Sequence, residues 1–96
     1  MKPLLTALTA VAAIAAGAAL AQTGPDVLKA KGCLNCHDFD KKKVGPAYKD
    51  VAAKHKDNKN AEAFLLDKLK EGKGHPKIAA TDAELKAAIG TVLSSK

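Results

Sequence analysis

The sequence predicts an all-α fold of about four short helices, and three observations lead there. Downstream of residue 24, apolar side chains recur at three- and four-residue spacing, the period of helices buried along one face. No run of alternating β-branched residues occurs after residue 21, so no strand is expected. The chain is also only 96 residues long, and its aromatic residues are Phe39, Tyr48 and Phe64 with no Trp. So few large side chains fill an ordinary core poorly, and a domain this small usually needs a metal, a cofactor, disulfides or a partner. The length leaves no room for a two-domain enzyme, a Rossmann unit with a separate substrate domain, or a TIM barrel.

The first 21 residues are set aside as a secretory signal. Lys2 supplies a positive charge, Leu4 to Leu20 is apolar and Ala-rich, and Ala19-Leu20-Ala21 places small residues before a cut after Ala21. A retained membrane anchor is the alternative. The run is short for a span, however, contains Thr6, Thr9 and Gly17, and lacks a basic stop-transfer flank. The expected organisation is a cleaved signal at 1–21 and one domain at 22–96, exported to the periplasm, with no stable membrane insertion and a monomeric state.

The first helix is expected from Pro25 to about Lys31, with Pro in the first turn, where a lost N–H costs nothing, and Val27 and Leu28 facing inward. Gly32 lets the backbone turn closely into Cys33-Leu34-Asn35-Cys36-His37. This C-x-x-C-H pentapeptide is the signature of covalent haem attachment. On a helical turn, positions i, i+3 and i+4 share a face, so both sulfurs and the imidazole point the same way. Cys33 and Cys36 would form thioethers to the haem vinyl groups, and His37 would bind the iron through Nε2. A disulfide over a two-residue gap would constrain little of the unfolded chain. A thioredoxin-like pair expects βαβ patterning, which is missing, and a zinc site needs two more ligands, whereas His55 and His75 lie outside the usual spacing.

Residues 41–46 read as a loop, followed by an amphipathic helix from Ala47 to about Lys54 with Tyr48, Val51 and Ala52 on one side. A third helix, Ala61 to Lys70, keeps the period through Ala61, Phe64, Leu65 and Leu69, with Asn58 or Asn60 as its cap. Residues 72–80 form a second loop. Thr81-Asp82-Ala83-Glu84 is a capping box, and Leu85, Ala88, Ile89, Val92 and Leu93 make the stripe of a last helix.

All 16 basic residues are Lys; without Lys2, 15 face 10 Asp and Glu, a net charge of +5. The absence of Arg and the scarcity of aromatics argue against nucleic acid as a partner. A modestly basic exported protein fits weak association with acidic protein surfaces, with Lys41, Lys42, Lys43 and Lys77 as docking candidates, although most of the Lys residues need do no more than keep the protein in solution.

Residues 24–96 resemble a small bacterial class I c-type cytochrome of the c551/c8 type. The resemblance rests on Lys31-Gly32-Cys33-x-x-Cys36-His37, on Val44-Gly45-Pro46-Ala47-Tyr48-Lys49-Asp50-Val51-Ala52, and on the last helix ending Val92-Leu93-Ser94. It implies helices wrapped round one covalent haem c, with the first and last helices crossing. It also implies that the Pro46 carbonyl meets His37 Nδ1, that Gly45 permits this approach, that Tyr48 packs near the haem, and that the protein carries electrons between redox partners rather than acting as an enzyme. The family's usual Trp in the last helix is missing, with Thr91 near its place.

The family's distal ligand is a Met on a Pro-rich loop before the last helix. The single Met here is Met1, and the loop is shortened to Lys73–Ala80. His75, between Gly74 and Pro76, is the first candidate for the sixth position. Lys73 and Lys77 would have to lose a proton and their hydration, and His55 is read as solvent-exposed. His/His ligation implies a low-potential electron carrier, because the thioether that raises the potential is gone. The alternative is a five-coordinate or labile-ligand haem protein binding NO, CO or O₂, with Ile78 lining the distal pocket.

Overall fold

A computed structural model describes residues 23–96, and the expected signal segment lies outside the described residues. Among them are four α-helices and no strand: α1 (Gly24–Ala30), α2 (Tyr48–Lys54), α3 (Ala61–Glu71) and α4 (Asp82–Leu93), with a 3₁₀ turn at Cys33–Asn35. The all-α expectation holds, and each helix falls within a residue or two of its expected place.

The termini explain themselves locally. Thr81 accepts the Glu84 amide at 3.1 Å while Glu84 takes the Thr81 amide at 2.9 Å, so the expected capping box starts α4. A second box, Thr23 with Asp26, starts α1. Asp in place of the longer Glu or Gln hid it in the sequence. Asn60, one of the two expected residues, is the N-cap of α3, though it makes no side-chain cap bond and its own amide donates to Asn58 Oδ1. Gly72 ends α3 at φ 72°, a left-handed turn that side chains resist.

The last helix is the hub, packing on α1, α2 and α3. Val27 and Leu28 of α1, Tyr48 of α2, and Ala88 and Val92 of α4 form the buried cluster, with Cys33, Leu34 and Val51 against its edge. The crossing of α1 and α4 is close because Gly24 has no side chain: a Cβ there would overlap Thr91 and the Ala87 carbonyl. Small residues, Gly against Thr, let these two helices approach where a large side chain would separate them.

α3 is different. It carries Phe64, Leu65, Leu66 and Leu69, yet only Ala61 is buried; Phe64 is exposed and the three leucines are half-buried. Its contacts with other helices are confined to α4. Its apolar face is thus only partly covered by the rest of the polypeptide.

Candidate functional site

Gly32, at φ 72°, turns the chain out of α1 into the attachment peptide. The peptide is held as a 3₁₀ turn: the Cys36 and His37 amides both donate to the Cys33 carbonyl, at 3.2 and 3.0 Å. Cys33 and Cys36 are free thiols, one half-buried and one exposed, and are not paired as a disulfide. Burial raises the Cys33 thiol above its ordinary pKa, which outweighs its own backbone hydrogen bond.

His37 is held from three directions. Its Nδ1 lies 2.7 Å from the Pro46 carbonyl. A carbonyl only accepts, so Nδ1 carries the proton and Nε2 keeps its lone pair for a metal. Tyr48, 4 % exposed, stacks on the imidazole with centroids 4.8 Å apart and planes at 20°. Gly45 lies against the ring edge, where a Cβ would come within 2.7 Å of Nε2 and 2.8 Å of Nδ1. Burial, ahead of the nearby Cys33 and Cys36 sulfurs, pushes the Tyr48 phenol well above its usual range, so it stays neutral.

The loop between His37 and α2 makes this possible. The Gly45 amide donates to the Cys36 carbonyl at 2.7 Å, and Lys43 Nζ reaches the Leu34 carbonyl at 3.0 Å. The Tyr48 and Lys49 amides, at the start of α2, are taken by the Asp38 and Phe39 carbonyls, which replaces a side-chain cap. Asp38 binds the Asp40 and Lys41 amides, and these bonds hold its carboxyl below the ordinary carboxylate pKa. The Lys43 bond had no signal in the sequence, because a Lys in a run of three reads as solvated charge.

Opposite His37 stands His75, half-buried, with ring centroids 6.1 Å apart and planes within 13°. Its Nδ1 lies 2.7 Å from the Pro76 carbonyl, the same tautomer lock as on His37. Both imidazoles therefore present Nε2. The two rings are near-parallel neighbours, each with an unprotonated Nε2. Lys73, a weaker candidate, is committed elsewhere: Nζ lies 2.7 Å from Asp67, whose hydrogen bond raises its pKa and favours the ammonium. Lys77 is exposed. His55, expected in solvent, is half-buried at the end of α2, its ring 5.8 Å from that of Phe64 and Nδ1 3.4 Å from the side-chain nitrogen of Asn58. It lies on the α2–α3 side of the fold and plays no part in this arrangement.

The residues present fit a haem. Two thiols at attachment spacing, the His37 imidazole with Nε2 free, and a second imidazole of the same tautomer, His75, nearby are the donors that would hold one.

No protein-family model matches the chain. It is 40 % identical to cytochrome c-551 of Pseudomonas aeruginosa over 104 aligned positions covering the whole of both sequences. It is 44 % identical to cytochrome c-552 of Hydrogenobacter thermophilus over 71 % of this chain and 76 % of that one, and 36 % identical to cytochrome c-552 of Nitrosomonas europaea over 82 % and 84 %. The crystal structure of wild-type Nitrosomonas europaea cytochrome c552 superposes with a TM-score of 0.66 at 34 % identity, over 75 % of this chain and 99 % of that one. A class 1 cytochrome, MtoD, from Sideroxydans lithotrophicus gives 0.65 at 27 % identity, over 74 % and 90 %. The chain belongs to the class I c-type cytochromes of the c551/c552 group: it carries one covalent haem c and serves electron transfer with redox partners, not catalysis.

Proposed function

We propose that this cytochrome is a periplasmic, low-potential electron carrier whose haem is attached through Cys33 and Cys36 and bound axially by His37 and His75. The observation that carries the reading is the matched pair of imidazoles, each with Nδ1 2.7 Å from a prolyl carbonyl and the two centroids 6.1 Å apart. Such carbonyl bonds orient a ligating ring and raise its basicity. The bound haem supplies a one-electron ferric/ferrous couple. His37, buttressed by Tyr48 and Gly45, would hold its Nε2 in one orientation toward the iron. An imidazole at the sixth position in place of a thioether favours the ferric state and lowers the potential.

The test is spectroscopic. Oxidised wild-type protein is expected to give a low-spin, bis-nitrogen EPR signal, and His75→Ala to turn it high-spin. A high-spin wild-type spectrum unchanged by His75→Ala would overturn the reading and favour an open sixth position that takes NO, CO or O₂. The periplasmic placement rests on the N-terminal pattern of charge, apolar run and Ala-Leu-Ala. For docking, a monomer presenting Lys41, Lys42 and Lys77 to an acidic partner is supported by their exposure and by the net charge. Lys43 is less available, since its ammonium is bound to Leu34. Transfer to an acidic partner should slow as salt rises; a rate indifferent to ionic strength would count against this surface.

A further inference from the structure

His75 sits in a four-residue arch. The Lys73 amide donates to the Lys68 carbonyl at 3.2 Å, and the Ile78 amide donates to the Leu69 carbonyl at 2.9 Å. Both feet of the arch thus stand on consecutive carbonyls of the last turns of α3, leaving only residues 74–77 between them. Gly74, at φ 69°, supplies the left-handed turn just before His75. One side-chain contact fastens the first foot: Lys73 Nζ to Asp67, one α-helical turn back on α3. A second ion pair, Lys70 with Asp82 at 2.9 Å, ties the end of α3 to the start of α4.

We propose that the Asp67–Lys73 pair is the latch of this arch, so that Asp67 and Lys73 act as positioning residues deciding how often His75 leaves the sixth position and admits an exogenous ligand. The proposal rests on His75 being the distal ligand. Its logic is a population argument. The open arch is a minor state, and any interaction present only in the closed state scales the open fraction directly. An exposed ion pair is a modest term, which sets the size of the effect at about two- to fivefold. The contact is also local to this loop, so its loss moves the arch without touching the core formed by α1, α2 and α4.

The experiment measures the rate of CO binding to the reduced holoprotein at sub-saturating CO, where the rate is proportional to the open fraction. Lys73→Gln and Asp67→Asn should each speed binding about two- to fivefold, with thermal melting of the oxidised protein nearly unchanged, while Lys73→Arg restores the wild-type rate. Raising salt from about 0.02 to 0.5 M should accelerate wild type but not Lys73→Gln, because screening does what the substitution has already done. Wild-type rates in both variants, or equal salt response in wild type and Lys73→Gln, would overturn the latch. The His75→Ala variant separates the two failures. If wild type is low-spin and His75→Ala binds CO far faster while Lys73→Gln does not, the latch alone falls. If His75→Ala binds no faster than wild type, the ligand assignment falls and the latch with it.

Discussion

The two sides of the site are built in opposite ways. On the proximal side, residues 32–48 form a web: the Pro46 carbonyl holds His37 Nδ1, Tyr48 stacks on its ring, Gly45 backs its edge, and the Gly45 amide and Lys43 ammonium bind carbonyls of the attachment peptide. On the distal side, His75 rides on a short arch with two backbone feet, one exposed ion pair and a tautomer bond to its own neighbour. Both imidazoles end in the same tautomer. They differ in how many independent contacts would have to fail before the ring moves, and local opening is cheapest where buried contacts are fewest. Under the proposed ligation, a carrier built this way would keep His37 in place and confine any exchange to the His75 side.

The largest expected effect removes what the two sides share. A Cys33→Ala, Cys36→Ala chain lacking haem should be largely unfolded, because the leucines of α3 are only half-buried by polypeptide and a chain this short cannot spare further burial. Circular dichroism during thermal melting checks it, and a cooperative, native-like transition in that chain would show that the helices do not need the haem.

A smaller effect comes from placing a methyl on each side. Gly45→Ala drives a Cβ into the His37 ring and should cost about 1–3 kcal/mol of stability, with a changed low-spin EPR signal. Gly74→Ala meets open space, its nearest neighbour being Lys68 Nζ at 4.0 Å, and costs only the left-handed backbone strain, about 1–2 kcal/mol. The informative outcome is the pattern: Gly45→Ala should leave CO binding slow, and Gly74→Ala should speed it. Equal effects of both variants on CO binding would erase the distinction between a rigid and a yielding side. The few-fold changes expected for Lys73→Gln and Asp67→Asn sharpen the same contrast at its lower end.

Much of this arrangement is written locally. The attachment spacing of Cys33, Cys36 and His37 is legible because it spans five neighbouring residues, and the structure folds them as one tight turn. The Thr81–Glu84 box is legible for the same reason, being a matter of four neighbouring residues. The sequence also identified the missing core, since its aromatic count is independent of folding.

What only the tertiary structure decided involves partners distant along the chain. That His75 faces His37 at 6.1 Å across 38 positions depends on where α3 ends and how it leans on α4. That Lys43 binds the Leu34 carbonyl, and that His55 is half-buried beside Phe64, are likewise outcomes of which surfaces met. Motif spacing determines contacts within a turn; contacts between turns follow from packing, where burial and hydrogen-bond satisfaction are settled over the whole molecule at once.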